Sequence, residues 1–262
     1  MISADAPGTY ANGIGTNLDI LDRVGDAPLS TSNSQSYNMI PSDISPYVPQ
    51  YVGNQIANNF SMTFDGVNDY FTTGNTFSTF DGLSKLSISM WVKWDNVSSY
   101  RILASVTRDS NANNFVWMLC NIDNHLRFFA STTSEYCYSN YVLTANTWTH
   151  VAVTMDKTQS TQANKCKIFI NGVDETLNNT NNINSSPLQT SNSPLYIGEN
   201  QNGKYNPMLG EIDEVAIFDT ALNAGQIYND IYQPTATGTN QTADFVNNPN
   251  LPNPVAWYRM GD

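Results

Sequence analysis

The sequence predicts an all-β fold, an antiparallel β-sandwich that ends in one short helix. Short segments in which apolar and polar residues alternate recur along the chain, and stretches rich in Asn, Ser, Gly and Thr separate them. Hydrophobic residues make up 40% of the chain, whereas charged residues make up only 13%, about half of the usual share. Although 262 residues exceed an average domain, β-sandwiches commonly reach about 200 residues or more as one unit.

Alternation places the strands of this sandwich along the middle of the chain. Turn-rich stretches at 109–114 and 177–187 separate some of them, and their polar, β-poor composition predicts loops. The predicted strands lie approximately at 60–64, 68–73, 86–95, 100–107, 115–122, 125–131, 137–143, 147–155, 165–171, 194–198 and 209–219.

The last predicted strand runs directly into an amphipathic helix, within the segment Gly210–Tyr232. Apolar residues of the strand surround acidic ones, which indicates one buried face. Asp219 or Thr220 can cap the helix that follows. One side of that helix is apolar, and its residues are Leu222, Ile227 and Ile231.

Other sequence phrases precede this strand–helix segment in a fixed order. They are FDGVNDYF (64–71), LSISMWVKW (86–94), WTHVAVTMD (148–156), KIFINGV (167–173) and LYIGEN (195–200). In order and spacing they resemble the laminin-G-like domains of the concanavalin A-like lectin/glucanase superfamily, over approximately residues 58–232. The resemblance implies a jelly-roll sandwich, whereas activity has to be argued from individual residues.

Composition divides the chain into three parts. Residues 1–57, rich in Pro, Asn, Ser and Gly, are predicted to be an N-terminal arm or linker, and residues 58–232 to be the sandwich. Residues 233–262 form a second linker that closes on a strand at Val255–Met260. The N-terminal part has too few apolar runs to fold alone, so we expect both extended arms to dock on neighbouring subunits. We also expect the sandwich to fold without them.

The net charge of −12, with only 11 Lys and Arg, excludes several classes of partner. Nucleic acid needs clustered cations, and the sequence has no basic run. An anionic membrane surface is disfavoured for the same reason, and no apolar run is long enough to span a membrane. The N-terminus lacks the basic and apolar regions of a secretory signal. Divalent cations are favoured, because carboxylate and amide oxygens suit calcium.

The cysteines give a weak disulfide signal. Cys120, Cys137 and Cys166 are an odd number, widely spaced, and contain no CxxC pair. Cys120 and Cys166 lie in predicted strands, where we expect them to pack as small residues. Without a leader or a clear disulfide pattern, the sequence favours folding in a reducing cytosol.

Residue patterns for catalysis are missing. A Ser–His–Asp site needs a positioned histidine, yet His150 is predicted to be a structural strand residue and His125 an exposed turn residue. No histidines or cysteines have the spacing of zinc ligands. Glucanases of the similar superfamily carry their acids on one strand as ExDxxE or ExDxE, whereas here Glu211 and Asp213 share a face and Glu214 points away. We therefore predict that the protein is not an enzyme.

The resemblance also implies a structural calcium ion, which the family often holds near the meeting point of its first and last strands. The turn in FDGVNDY offers Asp65, Asn68 and Asp69. Asp213 lies in mid-strand, where a carboxylate is costly to bury unless it is paired or metal-bound. We expect Asp213 to approach the turn and complete a Ca²⁺ site. A second interpretation stays open, in which Asp65 only forms the turn and Asp213 accepts backbone N–H bonds.

Tyrosines at strand ends or in loops are candidates for stacking on sugar rings. Trp91, Trp94 and Trp148 lie inside alternating strands and are instead predicted to be core residues. Core or interface packing explains some of the tyrosines equally well, and no particular sugar is indicated. The candidate ligand-binding residues are Tyr100, Tyr136, Tyr138, Tyr141 and Tyr205.

These observations predict a non-catalytic binding or structural module. A surface rich in Asn, Ser and Thr, with little charge and arm-like ends, resembles that of a phage or virus structural protein. The resemblance implies a capsid-decorating or tail-fibre role, with contacts to glycans or the host surface and to other virion subunits, and therefore a location on a virion or outside the cell. A module of a bacterial secreted or surface adhesin is the alternative, and a polysaccharide-degrading enzyme is the third interpretation.

Overall fold

The computed structural model describes most of the predicted sandwich. Side chains are described for residues 60–74, 79–107, 115–131, 133–177, 182–189, 193–200, 206–233, 244–246 and 248–260, and the backbone alone for 19–20, 29–30 and 44–45. The prediction that residues 1–57 form an extended arm therefore falls mostly outside the described residues.

Strands dominate the described chain and are accompanied by short helices. In chain order the strands are β1 (Asp19–Ile20), β2 (Leu29–Ser30), β3 (Ile44–Ser45), β4 (Ser61–Asp65), β5 (Phe71–Thr72), β6 (Lys85–Trp94), β7 (Arg101–Thr107), β8 (Phe115–Ile122), β9 (His125–Ala130), β10 (Tyr136–Tyr138), β11 (Thr149–Asp156), β12 (Cys166–Ile170), β13 (Val173–Asp174), β14 (Leu195–Ile197), β15 (Leu209–Phe218) and β16 (Ala256–Tyr258). The helices are α1 (Gln162–Lys165) and α2 (Gln226–Tyr232), the latter wound as a π-helix. The strands predicted at 68–73 and 137–143 are shortened to β5 and β10.

Two antiparallel sheets form a sandwich. Sheet I has the strand order β1-β2-β5-β14-β7-β8-β9-β10, and sheet II has the order β13-β12-β11-β6-β15-β4-β3, with β16 beside β15. The long central pairs are antiparallel in both sheets. The predicted antiparallel β-sandwich with a short C-terminal helix is therefore confirmed.

The main core lies between the sheets. Ile88, Met90 and Val92 alternate along β6 and enter one buried cluster with Trp117 and Phe128 of sheet I. Each such side chain contributes about 1.5–3 kcal/mol by leaving water. This inter-sheet cluster is therefore the main source of stability in the described chain.

The three tryptophans that were predicted to be core residues differ in position and burial. Trp94 lies in the inter-sheet cluster, and Trp91 is buried on the other side of sheet II, against the ring of Tyr232 in α2. Trp148 is only half-buried, so its prediction as a core residue is wrong. It precedes β11, where the chain has not yet entered the sheet.

The C-terminal part of the chain covers the outer face of sheet II. Here β16 pairs antiparallel with β15, alongside Val215–Ile217. A second buried cluster joins the sheet to α2 and to the segment before β16, and its members are Ala152, Phe169, Ala216, Phe218, Leu222, Ile227, Ile231, Phe245, Leu251 and Trp257. The strand predicted at Val255–Met260 thus exists, but the expectation that it pairs with a partner is wrong, because it pairs within its own chain.

An α-helical turn at 224–225 leads into α2, so the helical segment begins about one turn later than predicted. The Asn223 N–H donates to Gln226 Oε1 at 3.0 Å, and the Gln226 N–H donates to Asn223 Oδ1 at 3.0 Å. This reciprocal pair caps the first turn, so the predicted caps Asp219 and Thr220 are wrong. The predicted apolar side of the helix is buried, as expected.

A disulfide joins the two sheets. Cys137 of β10 is bonded to Cys166 of β12, with Cα atoms 6.3 Å apart, and Cys120 is a buried free thiol. The expectation that Cys166 packs only as a small strand residue is wrong, because the bond depends on a contact between sheets that strand patterns do not show. Disulfides persist mainly in oxidising compartments, which weighs against the expected folding in a reducing cytosol.

Candidate functional site

A hairpin of sheet I presents alternate side chains on the face opposite the core. The two-residue turn Asp123–Asn124 joins β8 to β9, and its φ angles of 52° and 64° fit a type I′ turn. Side chains alternate along a strand, so Leu126 and Phe128 enter the inter-sheet core, whereas Arg127 and Phe129 lie on the outer face.

Strand register aligns outer-face side chains of β8, β9 and β10 in two rows. Directly opposite residues in neighbouring strands are close enough to contact each other. One row is Tyr136, Phe129 and Met118, and the next is Tyr138, Arg127 and Cys120.

Arg127 lies at the centre of these rows. Its Cζ atom is 5.1 Å from the ring centroid of Tyr136, 5.5 Å from that of Tyr138 and 5.8 Å from that of Phe129. These distances are within the range of cation–π contacts. Among the residues that the structure describes, no carboxylate forms an ion pair with Arg127, and its buried Nε has no hydrogen-bond partner.

Neutral groups surround this guanidinium. The Tyr100 hydroxyl donates to Met118 Sδ at 3.4 Å, and the Cys120 thiol donates to the Arg127 carbonyl oxygen at 3.7 Å. Burial raises the pKa of Cys120 to about 12, although Arg127 opposes this shift. Burial also raises the pKa of Tyr100. Both groups therefore stay neutral at physiological pH, and Arg127 supplies positive charge to an otherwise aromatic surface.

The structure brings together three of the predicted ligand-binding tyrosines. Tyr100, Tyr136 and Tyr138 are half-buried around Arg127. Tyr141 instead packs against the main core, and Tyr205 lies outside the described residues. We refer to the set Tyr100, Arg127, Phe129, Tyr136 and Tyr138 as the arginine–tyrosine surface.

Sequence reasoning missed Arg127, the residue on which this surface is centred. The signal that could have found it is the segment HLRFFA, in which one arginine alternates with apolar residues inside a strand. A cation at such a position needs an aromatic or acidic neighbour in the next strand.

The predicted calcium ligands are only partly brought together. Asp65 and Asp69 meet in one turn, where Asp69 Oδ2 accepts the Asp65 N–H at 2.8 Å and Asp65 Oδ1 accepts those of Val67 and Asn68 at 2.7 Å and 3.3 Å. These bonds fit the interpretation of Asp65 as a turn-forming residue.

Strand register keeps Asp213 away from that turn. Leu209 of β15 lies opposite Asp65, whereas Asp213 lies opposite Trp91. Four residues along a strand correspond to about 13 Å. Asp213 instead accepts the Glu214 N–H at 2.7 Å, as the second interpretation expected. Within the described ranges, no group of three or more His, Cys, Asp or Glu could hold a metal ion. Calcium binding at the turn alone stays a prediction.

A β-bulge separates the acids of β15 from one another. The register of β15 on β6 shifts between Asp213 and Ala216, and Glu214 has a φ of 51°. Glu214 accepts hydrogen bonds from Trp257 Nε1 at 2.6 Å and from Arg259 Nε at 3.0 Å. The bulge therefore directs this carboxylate to the β16 segment, which it anchors.

Glu211 and Asp213 are also held by their surroundings. Glu211 forms an ion pair with Lys93 at 3.2 Å, and the side chain of Asp213 is fully buried. Acid–base hydrolysis of a glycoside needs two carboxylates that flank the substrate. The arrangement on β15 does not present such a pair to solvent.

The two histidines differ in their surroundings. His150 is buried, with its Nε2 atom 2.9 Å from Ser89 Oγ, and burial lowers its pKa to about 3. Its predicted structural role is confirmed. His125 opens β9 and is half-buried, with Nδ1 3.0 Å from the Tyr141 carbonyl oxygen. The expectation that His125 is exposed is therefore wrong.

Comparison with protein families identifies the fold. The family model described as the concanavalin A-like lectin/glucanases superfamily matches residues 65–228. The chain belongs to this superfamily. The resemblance inferred from the sequence phrases is thereby confirmed, together with the jelly-roll class of the sandwich. No curated protein sequence matches the chain significantly.

Three solved structures are similar to this chain at low sequence identity. The CBM40 domain of the Ruminococcus gnavus IT-sialidase, bound to α2,3-sialyllactose, has a TM-score of 0.51 and 14% identity over 64% of this chain and 94% of its own. Domain 4 of the arabinanase AbnA from Geobacillus stearothermophilus, in complex with arabinotriose, has a TM-score of 0.49 and 19% identity over 68% and 84%. The SAP-like pentraxin of Limulus polyphemus has a TM-score of 0.49 and 15% identity over 63% and 78%.

In the part of the chain that the structure describes, no helix is long and apolar enough to cross a bilayer.

Proposed function

We propose that this chain is a non-catalytic glycan-binding module whose ligand lies on the arginine–tyrosine surface. Membership of a superfamily that contains lectins supports glycan binding. The observation that carries the location is Arg127, a guanidinium surrounded by three aromatic rings and without a carboxylate partner among the described residues. Aromatic rings pack on the C–H faces of sugars, and the guanidinium donates hydrogen bonds to sugar oxygens.

The charge of Arg127 favours a glycan that carries a carboxylate or sulfate group. Guanidinium groups bind such planar or multi-oxygen anions through paired N–H donors. The carboxylates of β15 do not compete for this position, because β15 belongs to sheet II whereas Arg127 lies in β9 of sheet I, and Lys93 and Arg259 already pair with Glu211 and Glu214. An acidic sugar is thus the ligand class with which this surface is most complementary.

Binding without hydrolysis is supported by the state of the acidic residues. Glu214 accepts hydrogen bonds from Trp257 and Arg259. Glu211 forms an ion pair with Lys93, and Asp213 is buried. We expect no release of reducing ends from β-glucans, galactans or alginate. Reproducible turnover that disappears in Glu211→Gln would contradict the proposal.

A glycan array tests the location of the site. We expect the wild type to bind acidic glycans and Tyr138→Ala to bind them roughly tenfold more weakly, because an aromatic contact contributes about 0.5–1.5 kcal/mol beyond its buried area. Arg127→Gln should remove the preference for acidic over neutral glycans. Tyr228→Ala is the matched control, since Tyr228 is an exposed tyrosine on α2, against the opposite sheet. Equal losses in Tyr138→Ala and Tyr228→Ala would refute the site.

The biological setting is part of the proposal. A capsid-decorating or tail-fibre role on a virion is supported by the low charge and the Asn, Ser and Thr content, and an adhesin module is the alternative. Either setting places the protein on a virion or outside the cell. Mass spectrometry of purified particles and of the cell-surface fraction from the source organism distinguishes the two.

A structural calcium ion at the Asp65–Asp69 turn completes the proposal. Carboxylate and backbone oxygens of a tight turn suit calcium, and Asp65, Asn68 and Asp69 are close in this turn. The ion would brace the turn between β4 and β5 and takes no part in ligand contact.

A further inference from the structure

A buried lysine and a buried carboxylate meet the side-chain amide of an exposed asparagine. Lys157 follows β11 and is completely buried. Its Nζ atom lies 3.2 Å from Asn184 Oδ1 and 3.6 Å from Glu135 Oε2. Glu135, just before β10, is 7% exposed. Three segments that are distant in sequence thus place an amine beside an amide and a potential proton acceptor.

Hydrogen bonds fix the orientation of the amide. Asn184 Nδ2 donates to Glu135 Oε1 at 2.6 Å, and the Asn184 backbone N–H donates to Glu135 Oε2 at 3.1 Å. Asn184 Oδ1 also accepts the Ser186 N–H at 2.9 Å. The amide is therefore held at its nitrogen by the carboxylate and at its oxygen by both an amine and a backbone N–H.

A second buried lysine shows a different arrangement. Lys165 is 5% exposed and contacts the same segment, donating to the Ile183 carbonyl oxygen at 2.8 Å and to Ser185 Oγ at 3.0 Å. Both partners accept hydrogen bonds from the Lys165 ammonium group, but neither is a side-chain amide that can release ammonia. Only the Lys157 arrangement, of these two, combines an amine with such an amide and a bridging carboxylate.

We propose that Lys157 and Asn184 form an intramolecular isopeptide bond, with Glu135 carrying the proton. Glu135 takes a proton from the Lys157 ammonium, and the neutral Nζ attacks Asn184 Cγ. A new C–N bond forms and Nζ gives up a second proton through Glu135, while the bond from Cγ to Nδ2 breaks. The departing nitrogen takes up both protons and leaves as an ammonium ion. Lysine ammonium and asparagine amide thus give one secondary amide and one ammonium ion, and no oxidant or reductant is needed.

The positions of the atoms suit each part of this step. Cγ is joined to Oδ1 by a bond of about 1.23 Å, so with Oδ1 3.2 Å from Nζ it is at most about 4.4 Å from Nζ. The Ser186 N–H already bonds Oδ1, where negative charge develops in the tetrahedral intermediate. Glu135 contacts both the attacking and the leaving nitrogen, as a proton-transfer group must. Asn184 is exposed, which gives ammonia a route to solvent.

Intact mass spectrometry of the reduced, denatured full chain tests the proposal. We expect the wild type to be lighter than its sequence by one ammonia molecule. Peptide mapping should show a branched peptide that joins Lys157 to Asn184, with no tryptic cleavage after Lys157. Lys157→Arg and Glu135→Gln should restore the sequence mass, whereas Lys165→Arg, which alters the neighbouring buried lysine, should keep the mass loss.

Two results would overturn the isopeptide bond. One is a wild-type mass equal to that of the sequence, a measurement that does not depend on whether any variant folds. The other is a loss of ammonia that persists in Lys157→Arg and maps to Asn184 alone, since asparagine can also lose ammonia by cyclising on its own backbone.

Discussion

Acid should destabilise this protein through His150, which lies far from the proposed ligand surface, on the other sheet. His150 is 1% exposed, and its ring packs against Trp91 and Tyr232 at centroid distances of 5.4 Å and 5.7 Å. Ser89 Oγ contacts Nε2, while the buried Nδ1 has no hydrogen-bond partner among the described residues. Because burial lowers its pKa to about 3 from an ordinary 6.5, the folded protein keeps this ring neutral.

The free energy of unfolding falls as the pH falls between these two pKa values. In that window the unfolded chain binds a proton at His150 that the folded chain excludes, so acid favours unfolding. The full effect is about 1.4 kcal/mol per pH unit. From about pH 6 to about pH 4, the contribution of His150 is therefore a loss of about 2–3 kcal/mol.

Urea denaturation of the wild type and of histidine variants, measured across this pH range, separates the effect of His150 on stability from that of the carboxylates, which titrate in a similar range. His150→Gln should lose less stability between about pH 6 and about pH 4 than the wild type, by about 2–3 kcal/mol. His125→Gln, which alters the half-buried histidine at the start of β9, should behave as the wild type does. Equal pH slopes in the wild type and His150→Gln would refute the reasoning.

Stability measurements also test three other features. The Cys137–Cys166 bond closes a loop of 29 residues, so replacing both cysteines by alanine should lower the free energy of unfolding by about 3–4 kcal/mol, and reductant should then have no further effect. A Cβ at Gly172 would lie 2.7 Å from the Tyr232 ring, so Gly172→Ala should lower the melting temperature. The control Gly74→Ala, at a similar positive φ but in open space, should have a smaller effect. Calcium should raise the melting temperature relative to chelator if the Asp65–Asp69 turn binds it, and identical curves would exclude the ion.

Strand positions were predictable because their periodicity is local. In β6 and β11 apolar residues recur at every second position within eight to ten residues, and the structure contains both strands, although it buries both of their faces. The sequence phrases quoted above were also sufficient to predict the superfamily, which the family model confirms. Contacts that depend on the register between distant segments cannot be predicted from the sequence of any one segment.

The bond between Cys137 and Cys166 shows this limit. It joins the last strand of sheet I to a strand near the end of sheet II, and spacing alone does not reveal which strands oppose each other. Arg127 was missed for a related reason, because its aromatic neighbours Tyr136 and Tyr138 come from the next strand. The tyrosines were predicted from their residue type, whereas Arg127, which they surround, was not predicted.

The C-terminal segment was misinterpreted because its composition is that of a linker. Asn and Pro dominate residues 233–254, yet Phe245 and Leu251 are buried against sheet II. Trp257 adds a hydrogen bond to Glu214. A few buried residues are enough to hold such a segment against the sheet, and the average composition of the segment does not reveal them.

The position of β15 between β6 and the β4–β16 side has a consequence for the order of folding. The contact of Lys93 with Glu211 spans 118 residues, so during synthesis β6 emerges long before its partner. Until then β6 can pair with β11 on one side only, and its other side stays open to wrong partners. Long-range pairing of this kind is slow. Sheet II therefore reaches its final form only when nearly the whole described chain has been made.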